Sequence, residues 1–443
     1  MADQYKAIGS LYADIYSTIE KGEKKQGKIN RILMGSFVKL LPDETEKWQK
    51  VFAFDTEGWL QKKHLINQPG LKVFYADVGQ GDGALIEVGG DQAGIKMLID
   101  GGPGTNLFRY LRYYQYKFAY NNGQKTHFDL VFISHFDKDH YEGLIPILND
   151  DNFSFGTIYH NGIAKFDSDK AKRPPEYNTT LGKKIKKDSK PYLVTTFNTL
   201  EDLNRLKDHG GMQELQQRFL NAVNTAKIEG RLQDFKRLDH KDTFPTREIN
   251  GQPFAIDVLG PIPTRLSGEL AFDFFPNPEG SDSESHTVNG HSLVLKLTYG
   301  TRTLLFGGDL NIPAEEHLLS HYGAENPFEV DVAKSCHHGA SEFTIDFMAK
   351  VNPLATVISS GDNNTYAHPR ADAVGCSGKY SRSKCPLVFS TELARSTDIN
   401  TSTIRYGMIN LRCDGTRMIM AQMLESIQGK NDVWNLYEWQ LNP

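Results

Sequence analysis

The chain has 443 residues, 39% of them hydrophobic, and a formal charge of −5, so it exceeds one ordinary domain and can bury a sizeable core. That charge excludes a uniformly basic nucleic-acid coat, and contact with an anionic polymer requires a local patch. Cys336, Cys376, Cys385 and Cys413 form no Cys-x-x-Cys pair and predict reduced thiols rather than a disulfide framework. No stretch approaches the roughly 18 to 20 apolar residues that span a bilayer, and the first residues, Met1 to Lys6, lack a basic segment followed by an apolar run. The expectation is a soluble, cytoplasmic protein with no membrane contact.

Residues 1–66 read as short strands punctuated by turns, among them Arg31-Ile-Leu-Met34, Ser36 to Leu41, Trp48 to Phe54 and Gly58-Trp59-Leu60. This pattern predicts a small all-β barrel. Its ending, a tryptophan and then a Gly-Trp-Leu element, resembles bacterial Src-homology-three-like domains. The resemblance implies docking of a peptide, a wall polymer or a protein partner; the alternative is a barrel that only packs on the main domain.

Asn67-Gln-Pro-Gly70 is a linker, and residues 71–443 form a second domain of strands and intervening helices. Leu71 to Val78 is a strand, followed by Gly79-Gln-Gly81-Asp82-Gly83 and strands Ala84 to Val88 and Ile95 to Ile99. A phosphate-cradling loop requires a helix after its glycines. A strand follows here, which predicts a hairpin whose turn packs closely on a neighbouring loop. The aromatic helix from Leu107 to Tyr120 offers a half-buried face, or alternatively tyrosines that stack on bases.

The chemistry centres on Leu130-Val-Phe-Ile-Ser134-His135-Phe136-Asp137-Lys138-Asp139-His140. An apolar strand delivers two histidines and two aspartates at i, i+2, i+4 and i+5 onto a tight turn. Imidazole suits Zn²⁺, and carboxylates also accept Mn²⁺, so the density predicts a metal site rather than a solvated loop. Phe155 to Tyr159 is the next strand and ends at His160.

Residues at about 163–250 read as an insertion. Its segment Lys170 to Lys190 holds eight Lys or Arg against Glu176 and Asp188, a surplus of six that can hold a phosphate backbone or form a solvated loop. Buried strands then end at Asp309, after Thr303 to Gly308, and at His337-His338, after Val330 to Cys336. Adjacent histidines on an extended backbone point in opposite directions, so only one of the two is expected to bind metal directly. Which one is open.

Six motifs occur in series: Asp77-Val-Gly-Gln-Gly-Asp82, Ile99-Asp100-Gly-Gly102, Ser134-His135-Phe-Asp137-Lys-Asp139-His140, Gly307-Gly-Asp309, Lys334-Ser-Cys-His337-His338-Gly339 and Ser360-Gly-Asp-Asn363-Asn364-Thr-Tyr366-Ala-His368-Pro369. Together they resemble the metallo-β-lactamase superfamily, most of all the hydrolase domain of ComEC-type competence proteins, over residues 71 to about 425. The resemblance implies an α/β fold, a four-layer αββα sandwich, with two divalent metal ions, Zn²⁺ or Mn²⁺, at one edge. His135, Asp137 and His160 would hold one ion; Asp139, His140 and His337 or His338 would hold the second, with Asp309 bridging. Asp137 stands where many relatives have a second histidine, and this harder ligand favours Mn²⁺. A water between two cations becomes a nucleophile near neutral pH. Asp139, Lys334, His338, Asn364 and His368 are then candidates for catalytic work, through phosphate contact or leaving-group protonation.

The resulting expectation is a phosphodiesterase or nuclease with nucleic acid, DNA foremost, as substrate. Two alternatives stand beside it: a hydrolase of a small ester, lactone, thioester or cyclic nucleotide, and a non-catalytic binding protein with a vestigial metal site.

Overall fold

The structure is a computed structural model that describes residues 4–19, 25–90, 94–361, 366–392, 407–423, 434–437 and 441. Two-residue alternation decides its layers. In the strand Leu71–Tyr75, Val73 and Tyr75 join one core and Phe74 the other; Ile86 parts from Leu85, Met97 from Leu98, and Phe132 from Val131 and Ile133 in the same way. The first residue of each set packs between two sheets, and the second packs beneath helices outside.

The first sheet has nine strands in the order Leu232–Arg237, Phe153–His160, Thr126–Ile133, Ile95–Gly101, Gly83–Val88, Leu71–Tyr75, Ile409–Cys413, Met418–Met423 and Trp434–Tyr437. The second has seven, in the order Arg247–Ile249, Gln252–Gly260, Val294–Tyr299, Arg302–Phe306, Val332–Lys334, Ala355–Ile358 and Leu387–Ser390. Leu295, Leu297, Leu304, Phe306 and Val332 face the first sheet, whereas Val294, Leu305 and Ala333 meet outer helices. Tyr75 stacks on Phe306 across the layers at 5.8 Å, a contact that contributes about 0.5–1.5 kcal/mol beyond burial. Helix Glu214–Ile228 covers the first sheet with Phe219, Leu220 and Val223, and helices Ile312–Tyr322 and Ile345–Val351 cover the second with Leu318 and Phe347. The layers therefore run helices, sheet, sheet, helices.

From Leu200 onward, the stretch at about 163–250 is joined to the first sheet and its helical layer. Helix Leu200–His209 opens on a Thr199–Asp202 capping box, Glu214–Ile228 packs on the first sheet, and Leu232–Arg237 pairs in parallel with Phe153–His160. What stands apart is the basic hairpin Lys184–Lys187 and Lys190–Leu193, which joins Glu269–Asp273 and Thr264–Leu266 in a four-stranded sheet.

The N-terminal segment forms a seven-stranded antiparallel sheet around its own core of Ile8, Ile15, Ile32, Val38, Val51 and Leu60. Its order ends on Lys25–Leu33 at one side and Leu65–Ile66 at the other, so among the described residues the strands of the small barrel expected form one sheet that is not shown to close. It touches the sandwich where Arg417 donates to the Gly9 carbonyl at 3.1 Å and the Lys72 ammonium lies 5.8 Å from the Phe37 ring. The four cysteines are free thiols. Among the described residues, no helix is long and apolar enough to cross a membrane.

Candidate metal centre

Strand Thr126–Ile133 lies between two parallel neighbours and hands the chain to the loop Ser134–Asp137. Asp100 anchors that loop, accepting Ser134 N–H at 2.7 Å and Ser134 Oγ–H at 2.7 Å. Its left-handed φ of 57° sits at a bulge between Ile99 and Gly101, which turns the carboxylate out of the strand. The same carboxylate accepts His140 Nδ1–H at 2.9 Å, and His140 Nε2 is left 3.3 Å from Asp309 Oδ2.

His338 is held by the same device. Its Nδ1–H donates to the Ser359 carbonyl at 3.0 Å, while Nε2 lies 3.2 Å from Asp309 Oδ2 and 3.3 Å from Asp139 Oδ2. His135 Nδ1 meets Ser292 Oγ at 3.2 Å, and its Nε2 is buried without a hydrogen bond. In each case one ring nitrogen is fixed by a neighbour and the other is aimed inward, the arrangement of metal-ligating histidines.

Two glycines permit the loops to meet. A Cβ on Gly81 would sit 2.3 Å from the Asp139 carbonyl, and one on Gly308 would sit 2.6 Å from Ser292 Cβ. The hairpin turn at Gly79 to Gly83 thus packs against the metal loop, with Asp82 N–H donating to Asp139 O at 3.1 Å.

The donors fit a divalent cation. His135 Nε2, His140 Nε2, His338 Nε2, Asp82 Oδ1 and Asp309 Oδ1 are buried with no hydrogen bond, a costly state that a cation would relieve. Ligand atoms lie within 4.8 Å of one another in four sets: His135, His140 and Asp309; Asp139, His140 and His338; Asp82, Asp100 and His140; Asp82, Asp309 and His338. Imidazole nitrogen with carboxylate oxygen suits Zn²⁺ and Mn²⁺. Burial disfavours a charged His140, yet Asp309 and Asp100 outweigh it and lift its pKa well above the ordinary value. Burial is likewise outweighed at His338, by Asp309 and Asp82. Asp309 is held well below the usual carboxylate range, since His140 and His338 overcome its own desolvation. The pocket draws positive charge, which a cation would supply by displacing protons.

The other half expected for the centre is built differently. Asp137 Oδ1 accepts from Lys165 Nζ at 2.5 Å. His160 is buried between Phe197 and Phe235, each 4.4 Å away, and both its ring nitrogens lack hydrogen bonds. Burial, reinforced by Arg237, pushes its pKa well below the ordinary value. Strand alternation explains the placement, because His160 shares a face with Ile158, which packs under the outer helices. Neither Asp137 nor His160 joins any of the four ligand sets.

His337 and His338 are not extended. Both are left-handed, with φ of 47° and 54°, so both rings turn toward Asp309, with Nε2 at 3.9 Å and 3.2 Å from Oδ2. Such backbone costs about 1–3 kcal/mol and concentrates at functional sites. His338 joins two of the ligand sets and His337 none; His337 Nε2 lies 3.5 Å from Asn289 Nδ2.

Lys334 is buried, with its ammonium on the Asp82 carboxylate, 3.3 Å from the Gly308 carbonyl and 4.0 Å from Asp309 Oδ1. It is an internal counter-ion rather than a group reaching outward. His368 Nδ1 accepts from Gln80 Nε2 at 3.1 Å, which places its proton on Nε2. Burial, then His338 and His337, push its pKa down to about 4. Asn363 and Asn364 lie outside the described residues. Asp82 and Asp100 join the centre without being among the ligands expected from the sequence; their signal there is a carboxylate beside glycine at a strand terminus.

No family model matches the chain. It is 39% identical over 90 residues to competence protein ComA of Neisseria gonorrhoeae, covering 20% of this chain and 13% of the relative. It is 33% identical over 94 residues to ComE operon protein 3 of Bacillus subtilis, covering 21% and 12%. The chain therefore spans about an eighth of the length of these relatives. Among solved structures, it is similar to a long form RNase Z from yeast, with TM-score 0.35, 10% identity and coverage of 68% of this chain and 39% of that one. It is also similar to a diphosphatase from the PhnP family, with TM-score 0.26, 12% identity and coverage of 65% and 85%.

Proposed function

We propose that this chain is a metal-dependent phosphodiesterase of the metallo-β-lactamase type, with DNA as its foremost substrate. The observation that carries this reading is the convergence of His140, His338, Asp139 and Asp309, with both Nε2 atoms aimed at the shared carboxylates. Those four residues and His135 would hold the metal. When bound, divalent ions activate water and neutralise charge gathering on a phosphoryl group. The chain's own residues do the rest: Asp100 and the Ser359 carbonyl orient His140 and His338, Lys334 keeps Asp82 ionised, and His368 presents an Nε2 proton to a substrate oxygen.

The competence-protein similarity and the basic segment support a polyanion. Lys172, Lys184 and Lys190 of that segment are met by Asp167, Asp282 and Asp273, while Lys183, Lys186 and Lys187 remain exposed. In this reading the N-terminal sheet docks a partner. The test is a panel of single- and double-stranded DNA, RNA, cyclic dinucleotides and a chromogenic phosphodiester, each with Mn²⁺ or Zn²⁺. Hydrolysis of DNA is expected. Turnover of none would overturn the reading, and turnover of a lactone or thioester alone would move the substrate class.

A further inference from the structure

The segment between Asp100 and Asp129 contains no carboxylate side chain and carries Arg109, Arg112, Lys117 and Lys125, on a chain whose net charge is −5. It folds as helix Asn106–Tyr110, a π-helical turn Leu111–Gln115 and helix Lys117–Asn121. Its inner side is satisfied by the fold. Leu107 and Leu111 are buried, Tyr116 donates to Glu87 at 2.6 Å and packs edge-on against Phe128, and Tyr110 bonds Gln115 at 3.1 Å.

The outer side is different. Tyr113, Tyr114 and Phe118 are 57%, 63% and 70% exposed, half of the six large hydrophobic residues that stand out to this degree among the described residues. No packing requirement explains three rings there. The π turn is closed by the bond from Tyr116 N–H to Leu111 O at 2.9 Å, and Tyr113 lies within it while Phe118 lies in the helix that follows. Tyr114 stacks on Tyr110 at 6.2 Å, and the Arg112 guanidinium lies over Tyr113 and Tyr120 at 5.3 Å and 4.3 Å. Arg112 is also met by Asp150 at 3.2 Å. Arg109, Lys117 and Lys125 are exposed, and among the described residues they form no ion pair.

The helix starts at the rim of the metal centre. Gly104 N–H donates to Glu142 at 2.9 Å, and Gly143 N–H donates to Gly102 O at 2.8 Å, just past the loop that carries Asp139 and His140.

We propose that Tyr113, Tyr114 and Phe118, flanked by Arg109 and Lys117, form a platform on which the bases of a single-stranded nucleic acid stack as it leads into the centre. Exposed rings flanked by the unpaired Arg109 and Lys117, on a segment that itself carries no acid, match a strand of stacked bases and phosphates, and a duplex would hide those bases. This deepens the phosphodiesterase reading and rests on it.

The test measures fluorescence anisotropy of a labelled oligothymidylate and of a duplex of equal length, in chelator to prevent cleavage. The full chain is compared with the triple variant Tyr113→Ala, Tyr114→Ala, Phe118→Ala and with its leucine counterpart, which keeps apolarity and removes the ring faces. Single-strand affinity is expected to fall by about tenfold or more in both variants, given stacking energies of about 1–3 kcal/mol per base, with duplex affinity changed far less. Hydrolysis of a small chromogenic phosphodiester with metal restored is expected to stay unchanged. Wild-type affinity in the leucine variant would overturn the proposal in favour of a general apolar contact, and so would a dimer that the substitutions dissolve. A wild type that hydrolyses the small diester but binds no single strand overturns the platform alone. A wild type that binds the strand but hydrolyses no phosphodiester overturns the reading of the centre.

Discussion

Asp137 and His140 stand three residues apart on one loop, yet they serve different surroundings. Around His140, carboxylates from both sheets face imidazoles whose far nitrogens are pinned by Asp100 and Ser359. Around Asp137, the charge is already met by Lys165, and the histidine expected to complement it lies dry between two phenylalanines. The contrast teaches that ligand-type residues make a cation site only where their charge is left unanswered and their rings are oriented. One cation is therefore expected to bind tightly among His140, His338, Asp139 and Asp309, and a second only as Lys165 gives way.

The largest effect that can break this comparison is at the shared carboxylate. Asp309→Asn is expected to lower phosphodiester hydrolysis by about a thousandfold or more and to abolish tight cation binding, read by kinetics and elemental analysis. Retained metal with retained activity would place the centre elsewhere. Next in size is Asp100→Asn, which leaves every proposed ligand in place but loosens His140. It should weaken cation binding by about 10–100-fold in competition with a chromophoric chelator.

Glu315 tests how dry the second sheet's outer side is. Burial raises its pKa to about 8, against hydrogen bonds from Thr344 that favour the charged form. The folded chain thus keeps a proton that the unfolded chain loses above an ordinary carboxyl value of 4.5. This contribution to stability is full below that value and is lost as pH rises through about 8, at up to about 1.4 kcal/mol per pH unit. Glu315→Gln should flatten that slope in denaturant melts across the window.

Smaller effects sharpen the weaker half. Lys165→Met frees Asp137 and is expected to strengthen binding of a second cation several-fold, seen as a second step in calorimetric titration. His160→Leu should leave the cation count unchanged and stability within about 1 kcal/mol. A lost equivalent of metal would make His160 a ligand.

The layers were legible in the sequence because each core strand is an apolar run with residues for both faces, as at Leu71–Tyr75 and Thr126–Ile133. His135, Asp139 and His140 were legible because their spacing alone brings them to one turn. Asp100 was not, since its role comes from a bulge and from partners 34 and 40 residues away. His337 and His338 depart from the extended backbone that their strand predicts, because a left-handed pair is set by the loop's path and not by residue preference. The stretch after Leu200 lacked ligand clusters and so looked peripheral, although its helix and strand complete the first sheet's layer. At the N-terminus the apolar pattern marked several strands but could not fix whether the sheet closes, which depends on pairing between distant edges.

The most direct measurement is metal content and phosphodiester hydrolysis on the same preparation, before chelation, after it, and after return of Mn²⁺ or Zn²⁺, for wild type and Asp139→Ala. The centre described here predicts that wild type loses hydrolysis with its metal and regains it on return, and that Asp139→Ala regains less than about a hundredth of it. Hydrolysis that survives complete metal removal, or a wild type that neither holds nor takes up metal, would contradict it.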